Sequence, residues 1–182
     1  MTDPKRAPKK LPGWVWGGLI GCTIVMTWMG WHQPGHRDLV RLFGNGGNLN
    51  CVQEASRIYA TRLGPQPGLP EAPSRLEDYI AIAEPVELPP ELAARLKTLL
   101  TSPRSYQWGV AVACNPLYGY RLRFQCDGTP VEMWVCLKCS QIEVVVDGHG
   151  VGGGLFTPIA RELRALSVEL FPDDTAIEQA AR

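Results

Sequence analysis

Residues 14–31 read Trp14-Val-Trp-Gly-Gly-Leu-Ile-Gly-Cys-Thr-Ile-Val-Met-Thr-Trp-Met-Gly-Trp31, a run of 18 positions without a charge. At 1.5 Å rise per residue it makes a helix of about 27 Å, close to the hydrocarbon thickness of a bilayer. Trp14 and Trp16 mark one end, and Trp28 and Trp31 the other. Indole rings favour the headgroup region, so this is an aromatic belt. Gly17, Gly18, Gly21 and Gly30 weaken a helix in water and are tolerated in lipid. The run also lacks the periodic polar face of a soluble helix. Residues 14–31 are therefore expected to be a transmembrane signal anchor, with the lipid bilayer as this chain's first partner.

The flanks orient it. The chain as a whole is neutral, with 18 Lys+Arg against 18 Asp+Glu. Residues 1–10 hold Asp3 against Lys5, Arg6, Lys9 and Lys10, a net of +3, so the remainder carries −3. Only Arg37 and Arg41 follow the span closely. The positive-inside rule then predicts a basic cytoplasmic tail over 1–13 and an extracytoplasmic C-terminal bulk, a single-pass protein of the cell membrane. A cleaved signal peptide fits less well, because no small-x-small site follows Thr23. The sharper rival is a lipoprotein signal. Leu19-Ile-Gly-Cys22 resembles a lipobox behind a basic segment, which would make Cys22 an acylation site. Against it, the nine residues after Cys22 stay uncharged and mostly apolar where a polar tether is usual.

Beyond the span, residues 32–63 are predicted to be a juxtamembrane helical segment. A short helix runs from Leu39 to Phe43 and ends at Gly44. Asn45-Gly-Gly-Asn48 reads as a loop. A second helix is read from Val52, Ala55, Ile58, Tyr59 and Leu63 on one face, with Asn50 as its cap and Gly64 as its stop. Residues 64–74, rich in proline, read as a linker. Residues 75–178 are then predicted to be an α+β domain, followed by a tail over 179–182. Pro89-Pro90 opens a helix with Leu92, Leu96 and Leu100 on its apolar face. The period then changes from 3.6 to 2, and Tyr106 to Ala113, Tyr120 to Cys126, Val131 to Leu137 and Ile142 to Val146 read as strands. Asn115-Pro116, Asp127-Gly128 and Asp147-Gly148 supply turns, and Asp-Gly between two such runs is among the stronger hairpin signals. Gly150 to Gly154 reads as a flexible turn, and Pro158 to Phe171 as a closing helix. The predicted fold is thus α+β: a transmembrane helix, short helices, and a four-stranded antiparallel sheet packed against two helices.

Six cysteines are present: Cys22 in the span, then Cys51, Cys114, Cys126, Cys136 and Cys139. Five beyond the span is an odd number, so an oxidising compartment leaves one thiol over. Cys136-Leu-Lys-Cys139 admits three readings. It can be half of a zinc site, completed either by Cys114 and Cys126 or by Cys114 and His149. Strand geometry resists this, since positions i and i+3 face opposite ways unless residues 136–140 turn. It can be a redox pair, but it sits among strand-formers and not at a helix N-terminus. Or the cysteines are structural, as buried thiols or as disulfides drawn from Cys114, Cys126, Cys136 and Cys139.

The stretch from Leu92 to Asp174 carries a recognisable series: Ser105-Tyr106, Cys114-Asn-Pro116, Tyr120-Arg-Leu-Arg-Phe124, Val135-Cys-Leu-Lys-Cys139 and Leu170-Phe-Pro-Asp-Asp174. It resembles a family of uncharacterised small bacterial domains with a Cys-x-Pro and a Cys-x-x-Cys pattern. That family has no assigned activity, so the likeness implies no catalytic residue. It singles out Cys114, Cys136 and Cys139, and leaves Cys126 outside the pattern.

Catalytic constellations are not legible. The chain has no Gly-x-Ser-x-Gly, His-Glu-x-x-His or Walker motif. Of the histidines, His32 and His36 flank the membrane and His149 lies in a turn. Arg121 and Arg123 share one face of a strand without a basic excess or interleaved aromatics, which argues against nucleic acid. The expected function is a non-catalytic interaction or accessory subunit that meets another membrane or envelope protein. The alternative is a zinc-binding or thiol-redox protein using Cys114, Cys136 and Cys139.

Overall fold

A computed structural model of the chain describes residues 35–69, 73, 75–111 and 114–181. The basic tail, the apolar span with Trp14, Trp16, Trp28 and Trp31, Cys22 and His32 lie outside the described residues. No described helix is long and apolar enough to cross a membrane. Residues 37–182 form one compact unit.

The chain enters through α1 (His36–Leu42) and α2 (Gly46–Glu54), and then β1 (Arg57–Pro65). Two short strands, β2 (Tyr79–Ala81) and β3 (Val86–Glu87), precede α3 (Pro90–Leu100). A meander of β4 (Tyr120–Gln125), β5 (Val131–Cys136), β6 (Gln141–Val146) and β7 (His149–Leu155) leads to α4 (Ala160–Leu170) and α5 (Thr175–Ala181). The class is α+β, with five described helices and one large antiparallel sheet. The sheet has seven strands in place of the expected four. Its order is β2-β1-β4-β5-β6-β7, and β3 continues the β2 edge along the first half of β1.

Several elements differ from their expected form. Asn45 is a cap and not a loop residue: its side chain accepts the Asn48 N–H at 2.9 Å, starting α2 earlier. The helix read from Val52 to Leu63 stops at Glu54, and residues 57–65 extend as β1. Ile58 and Ala60 alternate inward there, opposite Phe124 and Leu122 of β4. Burial against a neighbouring strand therefore overrides a helical spacing that these same residues also satisfy. Among the described residues from Tyr106 to 111 there is no strand, only an isolated bridge from Gln107 to Leu155. The proline-rich region separates no domains, because β1 before it and β2 after it pair antiparallel. The last helix runs to Ala181, into the residues expected as a tail.

The glycine run becomes β7 because α1 lies directly on it. A Cβ at Gly152 would sit 2.2 Å from the Leu42 carbonyl oxygen. Only glycine lets a helix backbone come that close to a strand. The expected turn at Asp147-Gly148 joins β6 to a strand that was not expected, with φ of 52° and 77°, the left-handed pair that such a hairpin needs.

The helices all contribute to one core on one face of the sheet. Leu42, Val52, Leu96, Leu163 and Ile177 meet Leu122, Met133 and Val144 there. The other face carries a smaller core of Leu63, Tyr79, Tyr118, Trp134, Cys136 and Val145. Arg121 and Arg123 also stand on this second face, paired with Glu132 at 3.4 and 4.0 Å. They form an ion-paired wet stripe of the sheet.

Candidate functional site

The five described cysteines gather at the two faces of this sheet. Cys51 on α2 and Cys126 just after β4 form a disulfide with Cα atoms 5.5 Å apart, closing 75 residues of chain. Cys114 and Cys139 form a second, with Cα atoms 6.3 Å apart and a separation of 25. Cys126 thus pairs with a cysteine outside the expected disulfide set. Cys51 was hidden because its partner lies far along the chain, and no short spacing announces it.

Cys136 is the thiol left over, fully buried and free. β5 ends at Cys136, and the chain turns through Leu137, Lys138, Cys139 and Ser140, the last with φ of 50°. That turn removes the strand-parity objection: Cys136 and Cys139 lie side by side. The Cys136 sulfur accepts the Leu117 N–H at 3.3 Å and the Cys139 N–H at 3.4 Å. The three cysteines of the motif series are therefore neighbours, two as a cystine and one as a thiol.

A cystine offers no thiolate to a metal. His149 opens β7, exposed, and no group of three or more His, Cys, Asp or Glu side chains is placed to hold a metal among the described residues.

Beside the turn lies an aromatic triad. Tyr79, Tyr118 and Trp134 meet edge to face, with centroids 5.5 to 5.9 Å apart. The Tyr118 hydroxyl donates to the Glu143 carboxylate, and the Tyr79 hydroxyl donates to the Pro116 carbonyl at 3.1 Å. Burial pushes both phenols up from their ordinary range, and for Tyr118 the Glu143 carboxylate adds to it. Both remain protonated donors at neutral pH. They fix the loop that carries Cys114, and neither is an ionised base.

A cavity of about 650 Å³ opens against this same turn. Leu137 and Lys138 of the turn line it, with Leu117, Gly119, and Ile177 and Ala180 of α5. Arg62, at the end of β1, stands beside it. Its Nε donates to Asp174 at 2.5 Å, and its Nη1 donates to the carbonyls of Leu63 and Gly119. Asp174 in turn caps α5, accepting the N–H groups of Ala176 and Ile177 at 3.0 Å. Partial burial pushes the Asp174 carboxyl up, but the hydrogen bond from Arg62, the two N–H groups and the Arg62 charge outweigh it, so it sits below the usual carboxylate range.

Geometry and chemistry together define a small α+β domain clamped by two cystines, with one buried thiol and one cation-rimmed cavity. Comparison with family models, with curated proteins and with solved structures finds no match for this chain.

Proposed function

We propose that this chain is a single-pass membrane-anchored protein whose cystine-clamped domain stands outside the cytoplasm as a non-catalytic interaction or accessory subunit. The observation that carries the reading is the pair of cystines, Cys51–Cys126 and Cys114–Cys139. Such bonds persist in oxidising compartments, which is where the charge flanks of residues 14–31 direct the bulk of the chain. An interaction role draws support from the broken β2–β3 edge, where Ile80, Ile82 and Val86 are exposed, Ile82 by 55%. Adjacent large aliphatic side chains on an incomplete sheet edge favour association with another protein.

Sidedness tests the compartment. The full chain with a C-terminal epitope is placed in sealed right-side-out membrane vesicles, and protease is added outside. Loss of the epitope is expected; protection of it until detergent is added would contradict the proposal. A photo-crosslinking residue in place of Ile82 tests the interaction and is expected to yield a covalent adduct with a membrane or envelope protein. Mass analysis of Cys22 separates the plain anchor from an acylated lipoprotein.

A second reading keeps the thiol or zinc role of Cys114, Cys136 and Cys139. It is favoured by their being brought together, with the Cys136 sulfur against the backbone of Cys139. Zinc would require the Cys114–Cys139 bond to be open. Elemental analysis with thiol titration decides: one zinc per chain supports this reading, and no zinc with four cysteines in cystines removes the metal.

A further inference from the structure

The cavity beside the 137–140 turn has an unbalanced lining. Its walls are aliphatic: Leu63, Ile82, Leu117, Ile177 and Ala180. Its charged side chains among the described residues are Arg62, Lys138 and Arg164, and no described carboxylate lines it. Arg62 is neutralised by Asp174, which stands behind it. The other two are not. Lys138 is exposed and makes no ion pair among the described residues. Arg164 donates one Nη2 to the Leu137 carbonyl at 3.1 Å and to the Ser140 hydroxyl at 3.5 Å, while its Nε is buried with no partner. Neither acceptor of Arg164 carries a charge, and it makes no ion pair among the described residues.

We propose that this cavity binds an amphipathic anion, a carboxylate or phosphate on an aliphatic body. The anion sits between Lys138 and Arg164, and the aliphatic part lies on Leu117, Ile82 and Ile177. The cavity is a concave, mostly apolar site with a few convergent polar groups, the usual form of a small-molecule site. Two cations without a carboxylate select the sign of the ligand's charge, and the apolar walls select its body. The site stands whether or not the chain is anchored in a membrane.

The test is a ligand-observed NMR titration of the full chain with octanoate, 1-octanol and octylammonium. The chain is held in zwitterionic nanodiscs, with protein-free nanodiscs as reference. If it does not enter nanodiscs, the anchor fails and the same titration is run in buffer. Octanoate is expected to bind, 1-octanol at least tenfold more weakly, and octylammonium not at all. Lys138→Glu, a substitution at an exposed position, is expected to weaken octanoate at least fivefold with an unchanged unfolding midpoint; Arg164→Gln is expected to weaken octanoate likewise. Equal binding of octanoate and 1-octanol, or unchanged affinity in Lys138→Glu, would overturn the proposal. Anionic lipid in the nanodiscs distinguishes the sources: competition with octanoate identifies a lipid headgroup, and its absence a free acid.

Discussion

Arg62 ties three parts of the domain together, since its guanidinium reaches Asp174 before α5, the Leu63 carbonyl on β1 and the Gly119 carbonyl before β4. The Arg62 and Asp174 side chains are only 13% and 24% exposed, so water screens the pair little. Removing one partner leaves a largely buried charge, and Arg62→Ala is expected to cost about 2–3 kcal/mol in urea unfolding. The pH sign follows from Asp174. Its carboxyl is lowered from 3.8 in the fold, so the unfolded chain takes up the proton first as pH falls. The stabilisation is fully present above the ordinary carboxylate range and is lost as pH drops through the folded value. Unfolding midpoints at pH 3 and pH 6 should therefore differ less in Asp174→Asn than in the parent; an equal difference would remove Asp174 as a cause. At Gly152, an added Cβ meets the Leu42 carbonyl oxygen at 2.2 Å, whereas at Gly128 nothing lies within 4 Å. Gly152→Ala is expected to destabilise by about 2 kcal/mol or more, and Gly128→Ala by under about 0.5 kcal/mol.

At the scale of elements, the cystines are the main clamps. Chain-entropy arithmetic gives about 4.5 kcal/mol for the separation of 75 and about 3.5 kcal/mol for the separation of 25. Replacing Cys51 and Cys126 together by Ala should therefore lower stability more than replacing Cys114 and Cys139, as measured by denaturant midpoints at constant slope. The elements that were legible in the sequence are those whose signals are local. β4, β5 and β6 alternate with period 2, and Asp147-Gly148 forms the turn that its dipeptide demands. α3 shows its leucine stripe, and Leu92, Leu96 and Leu100 are buried as spaced. β1 was not legible, because Ala55, Ile58 and Tyr59 suit a helix equally well, and its strand identity comes from β4, some 60 residues on. β7 was not legible either, since four glycines carry no hydrophobic period and their reason lies in α1. The candidate site was half legible. The Cys-x-x-Cys turn stood out by spacing and Cys114 through the resemblance, while Cys51, Arg62 and the cavity depend on contacts that no local pattern encodes.

For the whole molecule, the neutral composition divides into a basic end, an apolar span and a slightly acidic remainder. Beyond residue 36 the domain is held by two cystines and contains one buried free thiol among its described residues. A cytoplasmic location would leave all of these cysteines reduced and would remove two clamps from a domain of modest size. The direct measurement is peptide mapping under non-reducing conditions, on full-length chain isolated from membranes with its thiols trapped by acid and alkylation. The account predicts linked peptides joining Cys51 to Cys126 and Cys114 to Cys139, with Cys136 recovered alkylated after denaturation. Recovery of all five of these cysteines as alkylated thiols would contradict it.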